Sequence, residues 1–132
     1  MSGENSNPTS TPVKDIMKKT LIFVNPTTTA FQIAKMMEQG GISAIFVKDK
    51  ETFVGIVTDR DFATKITVNN LPFDTPAEKI MTSPLITINQ NEPISAAAEL
   101  MTNKKIRKLA VRDNDDIVGI LRSIDLVKYL AK

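Results

Sequence analysis

The sequence has no cysteine, no histidine and no tryptophan among its 132 residues. The first two absences remove thiolate nucleophiles, the usual zinc sites and imidazole acid–base catalysis. Carboxylates, lysines, hydroxyls and Tyr129 remain, and none stands in a recognisable catalytic signature, so an enzyme is not expected and neither is a metal or a catalytic cofactor. Aromatic residues make up only 5%, which leaves a core to Ile, Val, Leu, Ala and Met. No apolar run approaches the ~18 residues of a membrane span, and no leader-like layout opens the chain. A cytoplasmic setting without membrane contact is expected.

What is present is ordinary in bulk. An apolar fraction of 42% and a charged fraction of 24% suit a soluble globular domain, and the net charge of +2 leans slightly toward acidic partners. Residues 1–12 hold no hydrophobic residue after Met1 and read as a disordered tail.

From there the sequence repeats. A shift of 64 positions, with no gap, lays Ile16-Met17 on Ile80-Met81, Asn25 on Asn89, Ala34 on Ala98, Met37 on Met101, Val54-Gly55-Ile56 on Val118-Gly119-Ile120 and Asp61 on Asp125. So ordered a set indicates internal duplication. Each copy reads β-α-β-β-α. Short strands at 21–24 and 85–88 precede helical patterns carrying Ala30, Ile33 and Met37, or Ile94, Ala97 and Met101. Paired strands at 44–47 with 53–57, and 109–111 with 117–121, lead into closing helices over 59–66 and 123–130. The boundaries are a first unit at 13–68, a linker at 69–76 anchored by Phe73, and a second unit at 77–132. One such unit is too small to cover both faces of its sheet, so the two are expected to pack together.

These parts resemble the tandem cystathionine-β-synthase (CBS) domain pair, often called a Bateman module. The resemblance rests on 14-KDIM-17 and 78-EKIM-81 and on the junctions 55-GIVTDRD-61 and 119-GILRSID-125, and it spans about residues 12–132. It implies an α/β (α+β) fold, two units packed sheet to sheet with pseudo-two-fold symmetry, and a non-catalytic regulatory role. It also implies clefts for adenosine ligands.

Residue by residue, the resemblance assigns the ribose to Asp61, a phosphate to Thr58 and the first-turn amides, and further phosphate contacts to Arg107 and Lys108, with Lys104 and Lys105 at the cleft edge. Val57, Leu85, Ile86 and Ala110 would line the adenine slot. Local chemistry leaves a plainer reading open, in which Thr58 is a helix cap and Asp61 its partner. A second, weaker site would draw on Ile22, Ser43, Ala44, Arg122 and Asp125. There the threonine is replaced by Arg122 and the opposing cations by Ser43 and Ala44, so one dominant site is expected.

The basic cluster favours AMP, ADP or ATP over S-adenosylmethionine, whose sulfonium is positive. A homodimer through helices carrying Phe31, Met36, Phe62 and Met101 is expected, with signalling to a separate effector protein. Two other readings are a protein-interaction scaffold with vestigial clefts and a nucleic-acid-associated protein using the 104–108 cluster; the second is disfavoured by the lack of stacking aromatics nearby.

Overall fold

The structure, a computed structural model, describes residues 8–131. Two compact units result, and they do not follow the repeat boundaries. One runs from Leu21 to Leu85; the other joins the described residues through Thr20 to those from Ile86 onward. We call them the Asp61 unit and the Asp125 unit.

The Asp61 unit contains β1 (Phe23–Val24), α1 (Ala30–Gly40), β2 (Ala44–Asp49), β3 (Thr52–Thr58), α2 (Asp59–Asp61) continuing as a π-helix over Phe62–Thr67, and α3 (Ala77–Ile80). The Asp125 unit contains β4 (Thr87–Asn89), α4 (Ile94–Lys104), β5 (Lys108–Asp113), β6 (Asp116–Arg122) and α5 (Ser123–Leu130), preceded by 3-10 turns at Pro8–Ser10 and Val13–Asp15. Each sheet has three strands, in the orders β1-β2-β3 and β4-β5-β6, the first pair parallel and the second antiparallel. Even the irregularities repeat, with a register shift after Val47 in one hairpin and after Val111 in the other.

Local chemistry accounts for the elements. Thr29 caps α1 by accepting from Gln32 N–H, and the Gln32 side chain accepts from Thr29 N–H in return. Gly41, at φ 64°, ends that helix in the left-handed region that glycine enters without steric cost. Its equivalent in the second repeat is Lys105, at φ 57°. Helix α4 buries Ile94, Ala97 and Met101, a three- and four-residue spacing that keeps one face on its sheet. Each unit has its own apolar core: Val24, Ile33, Ile45, Val47, Val57, Ile66 and Ile80 in one, Val13, Ile88, Ile94, Leu109, Val111, Leu121 and Leu126 in the other.

The lead-in of each repeat belongs to the unit built on the other. Lys18 bridges Ile120 and Thr82 bridges Ile56, with N–H···O distances of 2.8–3.1 Å in both directions. Likewise Thr11 C=O accepts from Ile94 N–H and Thr75 C=O from Ala30 N–H, both at 2.8 Å, which satisfies an otherwise orphaned amide at each helix start. The motif ends KDIM and EKIM therefore serve as an added edge to a partner sheet.

Several expectations need correction. Of the proposed tail, residues 1–7 lie outside the described residues, but residues 8–12 are structured: Thr11 hydroxyl meets Tyr129 hydroxyl at 2.7 Å and Pro12 bridges Pro93. The Phe73 side chain does not anchor the linker, being 74% exposed; its carbonyl accepts from Phe31 N–H at 2.9 Å, and buried Thr75 and half-buried Leu71 add hydrogen bonds to Pro72 and Ile66. The helix faces assigned to dimerisation also differ. Met101 is buried and Met36 and Phe62 pack against the Asp61-unit core, while Phe31 alone of the four is exposed. A stripe not anticipated, Ile124, Val127 and Leu130, is exposed on α5.

Candidate functional site

In each unit the last strand runs directly into a helix whose third residue is a buried aspartate. Asp61 is 4% and Asp125 7% exposed. A buried carboxylate is costly unless donors surround it, and the two units solve this differently.

Asp61 Oδ2 accepts from Thr58 N–H at 2.8 Å and from Thr58 hydroxyl at 3.3 Å. Its Oδ1 accepts from Thr82 hydroxyl and from Lys65 ammonium, both at 3.0 Å. Lys65 sits on the π-helical turn and also donates to the carbonyls of Ile80 at 2.8 Å and Met81 at 3.0 Å. The lead-in 80–82 is thereby tied to the carboxylate. The plainer cap reading is realised here, since Asp61 does accept from the N-cap amide, and it coexists with an acceptor placed at a strand-to-helix junction.

Asp125 Oδ2 accepts from Arg122 N–H at 2.9 Å and from Arg122 Nε at 3.1 Å, while Oδ1 accepts from the terminal guanidinium nitrogen at 2.6 Å. Arg122 thus folds back on its own helix. These hydrogen bonds raise its pKa above the ordinary arginine value, outweighing the lowering by burial, with the Coulombic attraction of Asp125 adding to the rise. The side chain turns back onto Asp125, a choice of rotamer that no local sequence pattern selects.

The first-turn amides expected to meet a phosphate are partly engaged already. Asp59 N–H donates to Ser43 C=O at 3.2 Å and Arg60 N–H to Asp59 Oδ1 at 3.0 Å; in the other unit Ser123 N–H donates to Arg107 C=O at 2.8 Å. The structure therefore brings Ser43, Ala44, Thr58 and Asp61 together in one unit, Ala44 pairing with Thr58 across the sheet. In the other it gathers Arg107, Lys108, Arg122 and Asp125, Lys108 pairing with Arg122. Of the apolar residues, Val57 is a fully buried core residue and Ala110 is buried. Ile22, Leu85 and Ile86 are half-buried, and Ile22 and Ile86 offer their carbonyls to Phe46 and Ala110. Sequence reasoning missed Lys65 and Thr82. Their signal is weak: Thr82 aligns with Lys18 and Lys65 with Tyr129, so neither is repeated.

This architecture defines a tandem pair of CBS units, a regulatory rather than catalytic class. A CBS domain model matches residues 13–67 and 77–132, and the chain belongs to the CBS domain family. The CBS domain-containing protein YhcV of Bacillus subtilis is 33% identical over 86% of this chain and 81% of its own length. A crystal structure of an uncharacterized conserved protein from Pyrococcus horikoshii superposes with a TM-score of 0.90 at 30% identity, covering 94% of this chain and 95% of that one. The CBS domain pair of protein MJ0100, solved in complex with 5′-methylthioadenosine and S-adenosyl-L-methionine, gives 0.83 at 30% identity over 92% of this chain and 96% of that one. Three other curated relatives are longer, the chain spanning 62%, 30% and 64% of their lengths. Among the described residues no helix is long and apolar enough to cross a membrane, and no cluster of acidic side chains could hold a metal ion.

Proposed function

We propose that the chain is a cytoplasmic sensor of an adenosine ligand that holds the ribose on Asp61 and passes the bound state to a separate effector protein. The observation that carries this reading is the buried Asp61 carboxylate, whose donors include two hydroxyls that can be exchanged for those of a ribose. The adenosine ligands of MJ0100, a protein of the same architecture, support the ligand class. A phosphorylated member, AMP, ADP or ATP, is favoured by Arg107 and Lys108, which we assign to the phosphate together with Thr58. Leu85, Ile86, Ala110 and Val57 remain the adenine-lining candidates.

Isothermal titration calorimetry with AMP, ADP, ATP and S-adenosylmethionine tests the proposal. Saturable binding with one dominant site per chain and the phosphorylated ligands ahead is expected. Arg107→Ala should weaken AMP by about tenfold, the ~1.5 kcal/mol of a charge-assisted hydrogen bond, and leave unphosphorylated adenosine unchanged. Absence of heat at two temperatures would leave a scaffold with vestigial clefts.

We also assign self-association to the exposed helix residues, Phe31 on α1 and Ile124, Val127 and Leu130 on α5. Sedimentation should show a homodimer, and Val127→Lys should shift it toward monomer by placing a charge on the apolar stripe. A wild-type chain sedimenting as a monomer would reject this assignment.

A further inference from the structure

We propose that Arg122 is a built-in occupant of the second carboxylate, taking the place of a ribose on Asp125 and restricting the chain to one adenosine ligand. The inference rests on the reading of Asp61 as a ribose acceptor and adds what decides between the two copies of the site.

The argument lies in what each aspartate must release. At the position where the first repeat has Thr58, the second has Arg122. Both carboxylates are buried, and each accepts on both oxygens, from four donors at Asp61 and three at Asp125, so burial and coverage of the oxygens do not separate them. The kinds of donor do. Around Asp61, Thr58 and Thr82 contribute hydroxyls that can rotate and donate elsewhere. Lys65 has the Ile80 and Met81 carbonyls at 2.8 and 3.0 Å to keep it satisfied if it leaves the carboxylate. A ribose can therefore replace neutral hydroxyls with its own at little net change in hydrogen bonding.

Around Asp125 the guanidinium covers both oxygens at once, at 2.6 Å on Oδ1 and 3.1 Å on Oδ2. Among the described residues its side chain donates to no other acceptor. A ribose would have to displace a paired cation and substitute neutral hydroxyls for a charge-assisted fork, which is the stronger arrangement. Lys108, paired opposite Arg122 in the sheet, adds like charge and disfavours swinging the guanidinium back along the strand. Threonine cannot make this fork, so the change from Thr58 to Arg122 by itself distinguishes an open acceptor from a closed one.

The test is calorimetric stoichiometry on the full chain with AMP and with uncharged 5′-methylthioadenosine, the latter reading the carboxylate without a phosphate. Wild type should bind one equivalent of ligand, Arg122→Thr two, and Arg122→Thr combined with Asp125→Ala one again. Threonine is the residue that the first repeat uses at this point, so the variant has a folded precedent within the chain; Arg122→Gln, which removes the charged fork at similar length, is the second variant should threonine unfold it. A doubled stoichiometry that Asp125→Ala reverses supports the proposal. One equivalent in both wild type and the two Arg122 variants overturns it while leaving the Asp61 reading intact, as does a wild type that already binds two. No binding by any form overturns the Asp61 reading and this inference with it.

Discussion

Gly119→Ala should destabilise the protein by about 3 kcal/mol, measured by denaturant unfolding, at the upper end of what overpacking usually costs. A Cβ built on Gly119 would lie 2.6 Å from the Lys18 carbonyl oxygen and 2.8 Å from Met17 Sδ. The thioether can swing aside, but the carbonyl is fixed by its hydrogen bond to Ile120 N–H at 2.9 Å. The methyl group would push the first lead-in off the edge of β6. Gly55→Ala should cost less, since its nearest contact is Met81 Sδ at 2.6 Å and the Thr82 carbonyl stands farther off at 3.0 Å. Gly40, whose nearest neighbour would be an Ile42 side-chain carbon at 3.6 Å, supplies the control, and alanine there should be tolerated. Equal stability of Gly119→Ala and wild type would show that the lead-in is not pinned against β6.

This reassigns part of a motif. Gly55 and Gly119 stand in the same heptapeptides as Asp61 and Asp125, where a glycine is easily attributed to ligand approach. The contacts give them a structural task, admission of a foreign backbone to the sheet. The order of strands and helices was legible because period-two and period-3.6 patterns are local. Which copy a lead-in joins is not local: Ile16-Met17 and Ile80-Met81 are interchangeable in chemistry, so either sheet could have been their partner, and only the backbone path decides. The same limit explains Met101. Its place in the repeated pattern was clear, but assigning that face to an outside partner rather than to its own core needed the position of β5 and β6. Arg122 shows a third kind of limit. Its substitution for threonine was visible, whereas its return to Asp125 three residues on depends on a rotamer.

Asp61→Ala should weaken adenosine-ligand binding about 30- to 150-fold, equivalent to the ~2–3 kcal/mol of losing a charge-assisted acceptor pair. The same change also removes the acceptor for Thr58 N–H, Thr82 hydroxyl and Lys65, so a fall in stability is expected beside the fall in affinity. Lys65 is partly exposed and retains two carbonyls, which limits that fall to about 2 kcal/mol, below the usual result of breaking a wholly buried ion pair. The two effects separate through Thr82→Val, which takes a hydroxyl from Asp61 and leaves the carboxylate in place. That variant should lose roughly 1 kcal/mol of stability and keep its affinity, because a ribose hydroxyl can fill the vacated lone pair. Binding by Asp61→Ala at wild-type affinity would reduce Asp61 to a helix cap and leave the ribose without its proposed acceptor. Equal affinity losses in Asp61→Ala and Thr82→Val, with both variants folded at the assay temperature, would instead place the cause in the lead-in at 80–82. A loss confined to Asp61→Ala leaves the carboxylate itself as the group that the ligand requires.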